Sequence, residues 1–390
     1  MNIADILNFA KEAPNHVVKT IVPKIIVGGV CGAGKSSLLN AIVQGNACEI
    51  GAGKPVTRDY NETQTKTGDA PICFIDSPGF SEADKDDLDY AGKIKDLITQ
   101  RAHLYLLVVP APDRALEVES KWLSKARTEG FFSEVPGLIA INKIDMCPPV
   151  REWNPNTLNL ANPSTLKERN ITEFIGYVHS LKEFQPFASQ GRIVPVSAGE
   201  SYNDPSQYNI EQLRMKIFDL LPTAAQIEFG RQTHLRRKAA ETCVLQYAGS
   251  IALEVLVNPF PISDAAIIVP IQIAMIVHLG KIYGQNISWA LASSLLGTTA
   301  ATLIGQASAG AVAAAAAMFI PGVKNFVGPG VAFGISVALG HTAIEIFATN
   351  KANASKEEIQ SIAKKYKQLV EKAKADCPSI EVLKSKRNLE

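Results

Sequence analysis

The sequence predicts an α/β fold, a doubly wound parallel sheet, for its first half and an all-helical hydrophobic domain for its second. Three observations predict this. Apolar strand-like runs alternate with helix-like segments from residue 22 to residue 222. A glycine-rich turn joins the first such strand to the first helix. Then composition shifts: 42 residues between Lys281 and Lys324, and 20 more between Lys324 and Glu345, carry no Asp, Glu, Lys or Arg. The 390 residues suit two or more domains. We divide them into an N-terminal helix (1–20), the α/β domain (21–222) and the helical domain (223–390). The net charge of +1, from 39 basic and 38 acidic residues, gives no bulk attraction to nucleic acid, which is not expected as a partner. The six Cys are scattered without Cys-x-x-Cys spacing, which points to reduced thiols rather than disulfides or zinc. With Asp5 early and no basic-then-apolar leader pattern, the reading is cytoplasmic.

The first strand, Ile25-Ile26-Val27, runs into Gly29-Val30-Cys31-Gly32-Ala33-Gly34-Lys35-Ser36 and then a helix-like stretch from Ser37. This is G-x-x-x-x-G-K-S in its strand–loop–helix setting, a phosphate-binding loop. Glycines let successive N–H groups turn inward on phosphate oxygens, and the helix adds the positive end of its dipole. Gly29, Gly32, Ala33, Gly34 and Ser37 form the cradle. Lys35 reaches the outer phosphates, and the Ser36 hydroxyl is a ligand for Mg²⁺.

The next strand, Ile72-Cys73-Phe74-Ile75, ends in Asp76-Ser77-Pro78-Gly79. Asp76 would hold Mg²⁺ through water, and the Gly79 N–H would meet the terminal phosphate. In Pro55-Val56-Thr57-Arg58-Asp59, Thr57 is the candidate that closes over metal and phosphate, with Thr63 and Thr65 placed on the following strand. Lys35, Ser36 and Thr57 make up the candidate catalytic set, and Ser36, Thr57 and Asp76 the metal set. Gly51-Ala52-Gly53-Lys54 looks like a second phosphate loop but is followed by Pro55, so it reads as switch segment. A third apolar strand, Leu138-Ile139-Ala140-Ile141, ends in Asn142-Lys143-Ile144-Asp145. The Asp145 carboxylate can accept from both guanine N1–H and the exocyclic amine. Adenine lacks that donor pair and would leave a buried acceptor unmatched. A fourth strand, Ile193-Val194-Pro195-Val196, leads into Ser197-Ala198-Gly199, whose Ala198 N–H would meet the guanine carbonyl.

The order of these motifs resembles the Era-like GTPases of the translation-factor class. Gly34-Lys35-Ser36-Ser37-Leu38-Leu39-Asn40-Ala41 and Val56-Thr57-Arg58-Asp59 are similar to Era and its double-domain relative. Asp113-Arg114-Ala115-Leu116 is similar to a bacterial subgroup. The likeness spans residues 20 to 222 and implies a Ras-like G domain of the P-loop NTPase class, binding GTP/GDP with Mg²⁺ and hydrolysing GTP. Two departures matter. Many Era-like enzymes carry Asn at the Gly32 position, where it helps hold potassium, whereas Gly is found there in septin-like and immunity-related GTPases, which this loop also resembles. Ras-like enzymes place Gln directly after the Asp-x-x-Gly motif. Here Phe80 follows Gly79, and an apolar ring cannot orient water, so slow basal turnover is expected.

Residues 2–12 place Ile3, Ile6, Leu7 and Ala10 at helical spacing. Residues 148–163, rich in Pro and Asn, read as a long loop after the base motif. A long helix is predicted from Thr223, carrying Arg231, Arg236, Arg237 and Lys238. Ser263 or Asp264 is a candidate N-cap after a Pro-fixed turn. This passage and the apolar stretch after it resemble an uncharacterised hydrophobic helical domain appended to some bacterial Era-like GTPases. Residues 287–305, 307–323 and 326–345 are each close to the roughly 20 apolar residues a membrane span needs, with Gly322, Gly328, Pro329 and Gly330 marking a break. Small residues such as Gly297, Gly305 and Gly310 would allow close helix packing, while Ser, Thr and Gln among them also suit a soluble hairpin. Ser355-Lys356-Glu357-Glu358 is a capping box opening a last amphipathic helix.

The leading reading is a guanine-nucleotide switch acting on a helical domain that meets membrane lipid at the cytoplasmic face. An assembling, membrane-remodelling GTPase with a G-domain-mediated homodimer is the alternative, as for septin-like, dynamin-like and immunity-related proteins. A ribosome or RNA assembly factor is the third.

Overall fold

The computed structural model describes residues 20–45, 61–64, 72–76, 101–201, 203–257, 261–304, 329–350 and 354–379, with 61–64, 73, 75–76, 257, 261–267 and 304 described by backbone alone. The N-terminal helix, Thr57, Gly51 to Lys54, Thr65, Gly79, Phe80, residues 307–323 and the turn at Gly322 and Gly328 lie outside the described residues. The described chain divides into two compact units, Ile21–Leu235 and the residues from Arg236 onward.

The first unit is built on a six-stranded sheet of order β2-β3-β1-β4-β5-β6. Its strands are β1 (Lys24–Gly28), β2 (Asn61–Gln64), β3 (Cys73–Asp76), β4 (Leu104–Pro110), β5 (Gly137–Asn142) and β6 (Ile193–Pro195). Only β2 runs antiparallel, against β3. The central strands are near-continuous aliphatic runs because both faces are covered. Ile25, Ile26, Val27, Leu106, Leu107 and Val108 are fully buried. The helices of this unit are α1 (Lys35–Val43), α2 (Glu117–Thr128), α3 (Leu166–Ser180), α4 (Ile210–Leu220) and α5 (Thr223–Gln232), with single helical turns at Phe131–Glu134 and Gln185–Ser189. One face of the sheet carries an aromatic cluster. Tyr105 meets Phe131 edge-on at 5.5 Å, Phe131 meets Phe132 at 5.3 Å, and Phe132 meets Phe187 at 5.2 Å. Such pairs add about 0.5–1.5 kcal/mol each beyond their burial. Thr63 lies on β2, as expected from the sequence.

This strand order reverses direction of winding at β1, between β3 and β4. Ligands of open parallel sheets bind outside the carboxyl ends of the strands at such a point. Gly28, Asp76, Pro110, Asn142 and Pro195 close their strands on that edge, so the phosphate loop, the Asp76 motif, the base-recognition tetrad and the Ser197 turn all emerge there.

The regular structure among the described residues of the second unit is helical: α6 (Arg236–Val257), α7 (Pro261–Ile282), α8 (Trp289–Ile304), α9 (Pro329–Ala348) and α10 (Lys356–Ala375). Helix α9 packs against α6 and α10. Glycine permits the approach at two points. A Cβ on Gly334 would stand 2.4 Å from the Val370 carbonyl oxygen, and one on Gly340 would stand 2.4 Å from Val244 Cγ2. The final helix starts at the expected capping box. Ser355 Oγ accepts from the Glu358 N–H at 3.2 Å, and the Glu358 carboxylate accepts from the Ser355 N–H at 2.9 Å. Its apolar face, with Ile359 and Ala363 buried, lies on the helical unit.

Several expectations need correction. The helix predicted from Thr223 is two helices. His234 adopts a left-handed backbone, φ 62°, between α5 and α6, and the Thr233 hydroxyl closes α5 by donating to the Phe229 carbonyl at 2.7 Å. The two compact units part between Leu235 and Arg236, and α5 falls in the first of them. Ser263 and Asp264 lie inside α7, which starts at Pro261. Proline suits the first turn because its missing N–H would find no partner there anyway. The segment 287–305 is helical from Trp289 through Ile304, where the described residues end. Pro329 and Gly330, expected to mark a break, lie inside α9, which continues past residue 345 to Ala348.

Candidate functional site: a phosphate loop braced by the base-recognition strand

The loop after β1 needs glycine at two places for steric reasons. Gly29 has φ 144°, and a Cβ there would sit 2.3 Å from the Val108 carbonyl oxygen of the neighbouring strand. Gly34 has φ 85°, and a Cβ there would sit 2.5 Å from Asn142 Nδ2. Gly32 is also left-handed, φ 80°, but faces open space. From Gly34 the chain enters α1 without an acidic residue in the first turn, so nothing there opposes an anion at the helix start. Ala33 is fully buried, while Lys35, Ser36 and Ser37 are half-buried. The Lys35 ammonium folds back over the loop, donating to the carbonyls of Gly29 at 3.0 Å and Val30 at 3.4 Å. Two loop carbonyls are thereby held while the amide edge is left to other partners. Cys31 is exposed on the loop and free.

Asn142 does more than sequence reasoning assigned to it. It is 1 % exposed at the end of β5. Its Nδ2 donates to the carbonyls of Ala33 at 3.0 Å and Gly34 at 3.4 Å. Its Oδ1 accepts from the Ala198 N–H at 3.1 Å. One amide side chain thus joins the phosphate loop to the turn after β6. The Ala198 N–H, expected to face a guanine carbonyl, is directed to this brace. Lys143, left-handed at φ 62°, adds a second crossing by donating from Nζ to the Gly32 carbonyl at 2.7 Å. Asp145 is half-buried, and the fully buried Ser197 orients it by donating from Oγ to Asp145 Oδ1 at 2.7 Å. Asp76 closes β3 in register with Val27 of β1, one residue before the loop strand ends.

Two positions that hold the base-recognition segment escaped sequence reasoning. Lys167, on the first turn of α3, is 2 % exposed, and its ammonium donates to the carbonyls of Asp145, at 2.5 Å, and Cys147. It also lies over the Trp153 ring, 5.5 Å from the centroid. Burial lowers its pKa, against the raising effect of Cys147, Asp145 and Glu152. Glu168 accepts the backbone N–H groups of Asn159, Ser164 and Thr165, each at 2.8 Å. Those bonds hold its carboxyl down at about 2. The Pro- and Asn-rich loop is therefore pinned at both ends. Thr165-Leu166-Lys167-Glu168 is a readable capping box, so Glu168 had a sequence signal. Lys167 had none. The segment Asp113-Arg114-Ala115-Leu116 makes an Asx-type turn, with Asp113 Oδ1 accepting from the Ala115 N–H at 2.9 Å, and Arg114 pairs with Glu173 at 2.8 Å.

Replacing Asn142 with Ala strands the buried Ala198 N–H and Ala33 carbonyl. We expect a local loss of about 2–3 kcal/mol, read as faster amide exchange in α1 and β5 of the full chain. Unchanged exchange there would contradict the bracing role.

Two family models match separate segments of the chain. Residues 24–143 match the family described as 50S ribosome-binding GTPase, and residues 228–374 match the family described as Domain of unknown function (DUF697). The uncharacterized protein YkfA of Escherichia coli K12 is 30% identical over 164 residues, 42% of this chain and 53% of that protein. GTPase Der of Persephonella marina is 32% identical over 162 residues, 38% of this chain and 34% of that protein. The chain thus spans about half the length of the first relative and about a third of the second. A solved structure of Era with MgGDPNP and a segment of 16S ribosomal RNA aligns at 20% identity and a TM-score of 0.35, over 52% of this chain and 58% of Era. The chain joins an Era-like G domain of the P-loop GTPase kind to a separate helical C-terminal domain.

Proposed function

We propose that this chain is a slow GTP hydrolase whose nucleotide state acts on a membrane-associating helical domain. The observation supporting guanine recognition is the Asn142 brace together with the Ser197-oriented Asp145 carboxylate. That geometry presents a half-buried acceptor beside a phosphate loop, and guanine is the purine base that satisfies it with two donors. Lys35, Ser36 and the start of α1 would hold the β- and γ-phosphates. Mg²⁺ suits the donor set, a Ser36 hydroxyl with Asp76 and Thr57 as oxygen ligands of the hard kind this ion prefers. When bound, the ion would neutralise the negative charge that develops on the phosphate oxygens. Phe80 after Gly79 supplies no polar group for the attacking water, and slow turnover is the consequence.

For the helical unit, α9 supports the membrane reading. It is 20 residues long with a mean hydropathy of 1.6 over its most apolar window. The competing arrangement is a core helix, since 78% of that window is buried within its own unit. Membrane contact thus requires the unit to open or to present another face.

Asp145→Asn tests the nucleotide reading. An amide can donate to the second carbonyl of xanthine, so the variant should lose GTP hydrolysis and gain XTP hydrolysis, each by at least about 100-fold. Phosphate release with both nucleotides measures this, and undiminished GTP hydrolysis would sink the assignment. Flotation of the full chain with anionic liposomes, in GDP and in a non-hydrolysable GTP analogue, tests the membrane half. Recovery with the lipid in one nucleotide state is expected. No recovery in either state would remove the membrane half and leave the nucleotide half standing.

A further inference from the structure

The far end of the phosphate-loop helix is tied to the joint where the second unit begins. Helix α1 carries the phosphate-binding residues at its start. At its other end Arg214, on α4, is 3 % exposed and donates from Nε to the Ile42 carbonyl at 2.7 Å and from Nη2 to the Ala41 carbonyl at 2.5 Å. These are the carbonyls a helix leaves without internal partners, at the negative end of its dipole, and a planar cation fits them. Glu211, 3.5 Å away and exposed, is the counter-ion. Gln44 caps the same helix in a left-handed conformation, φ 51°, donating its N–H to the Asn40 carbonyl. With its amide oriented to suit its neighbours, Gln44 accepts from Arg214 at 3.3 Å and donates to His234 Nε2 at 2.7 Å.

His234 is the left-handed residue that separates α5 from α6. The second unit starts two residues later, at Arg236. The contacts close a ring: α1 to Arg214 on α4, α4 through Pro222 to α5, α5 to His234, and His234 through Gln44 back to α1. Non-glycine residues in the left-handed region are uncommon and persist only where surroundings hold them. Here two of them hold each other through their side chains. The link at Gln44 and His234 is exposed, whereas the link at Arg214 is buried.

We propose that Arg214, Gln44 and His234 are positioning residues that couple the phosphate-loop helix to the α5–α6 joint, so that nucleotide at one end of α1 changes the backbone at 233–235 and the joint in turn sets nucleotide affinity. The inference rests on the reading of the chain as a guanine-nucleotide binder. The contacts of all three described above lie at the end of α1 away from the phosphate loop, so the route to nucleotide runs through α1. The effect is reciprocal by linkage: what nucleotide does to the joint, the joint does to affinity by the same factor.

Hydrogen exchange of the full chain, with and without GDP, tests this, with GDP affinity measured in parallel. In the unaltered chain GDP should change exchange in residues 231–257 by about fivefold or more. His234→Ala, or Gln44→Ala from the other side, should abolish that difference while shifting GDP affinity by no more than the same factor. His234→Gln keeps an acceptor and should restore it. Arg214→Lys cannot span both carbonyls and should weaken GDP binding. If GDP binds but leaves 231–257 unchanged, or if both alanine variants keep the full difference, the coupling is wrong. If GDP does not bind at all, the nucleotide reading fails first and the coupling fails with it.

Discussion

Asn142 makes three hydrogen bonds that no water can replace at 1 % exposure, and they join three separate strand ends. Removing any one partner leaves a buried amide or carbonyl unmatched, a cost of about 1–3 kcal/mol. The placement of β5 between β4 and β6 makes the contact available, because it carries residue 142 to the edge where both loops emerge. The close approach also explains Gly34. Any side chain there would displace the Asn142 amide. The proposed phosphate cradle and the proposed base carboxylate are therefore joined through one side chain. Asn142, Lys143 and Asp145 are consecutive enough that one rigid strand end sets all three.

Side chains from the following loop and from α3 hold this strand end in place. Lys167 gathers the carbonyls of Asp145 and Cys147. The Trp153 ring faces its ammonium, and Trp153 in turn donates from Nε1 to the Ser206 carbonyl at 3.0 Å, beyond the Ser197 turn. Glu168 fastens the Pro- and Asn-rich loop. A buried lysine with its charge satisfied by carbonyl oxygens keeps backbone geometry where a hydrophobic residue would leave those oxygens bare. Cys147, packed in the same place, has its thiol pushed up to about 11 by burial, with Asp145 adding to this and Lys167 opposing it, so it stays a thiol. The helical unit is held differently, by apolar contact and by glycine at close crossings such as Gly334 and Gly340.

Much of the α/β unit was legible in the sequence because parallel strands buried on both faces leave unbroken aliphatic runs, and each functional loop comes directly after one. The two glycines that mattered most, Gly29 and Gly34, sat inside a recognisable spacing. What was not legible was long-range. That the Asn142 amide would reach Ala33 and Ala198 depends on strand order, which no local pattern encodes. The break at His234 was invisible because no Gly or Pro marks it and a left-handed histidine is held by tertiary partners. Helix α7 was anticipated through its candidate cap, Ser263 or Asp264, but the helix takes in both residues and runs through Pro270 as one element. In the apolar domain length and composition suit a membrane span and a core helix alike, and most of the apolar window of α9 is buried.

The central claim is that one braced strand end selects the guanine base beside a phosphate loop. Calorimetric titration of the full chain with GDP and with ADP, in Mg²⁺, tests it most directly. The account predicts saturable GDP binding with ADP weaker by a factor on the order of 10⁴. Equal affinity for the two nucleotides, or binding of neither, would contradict it.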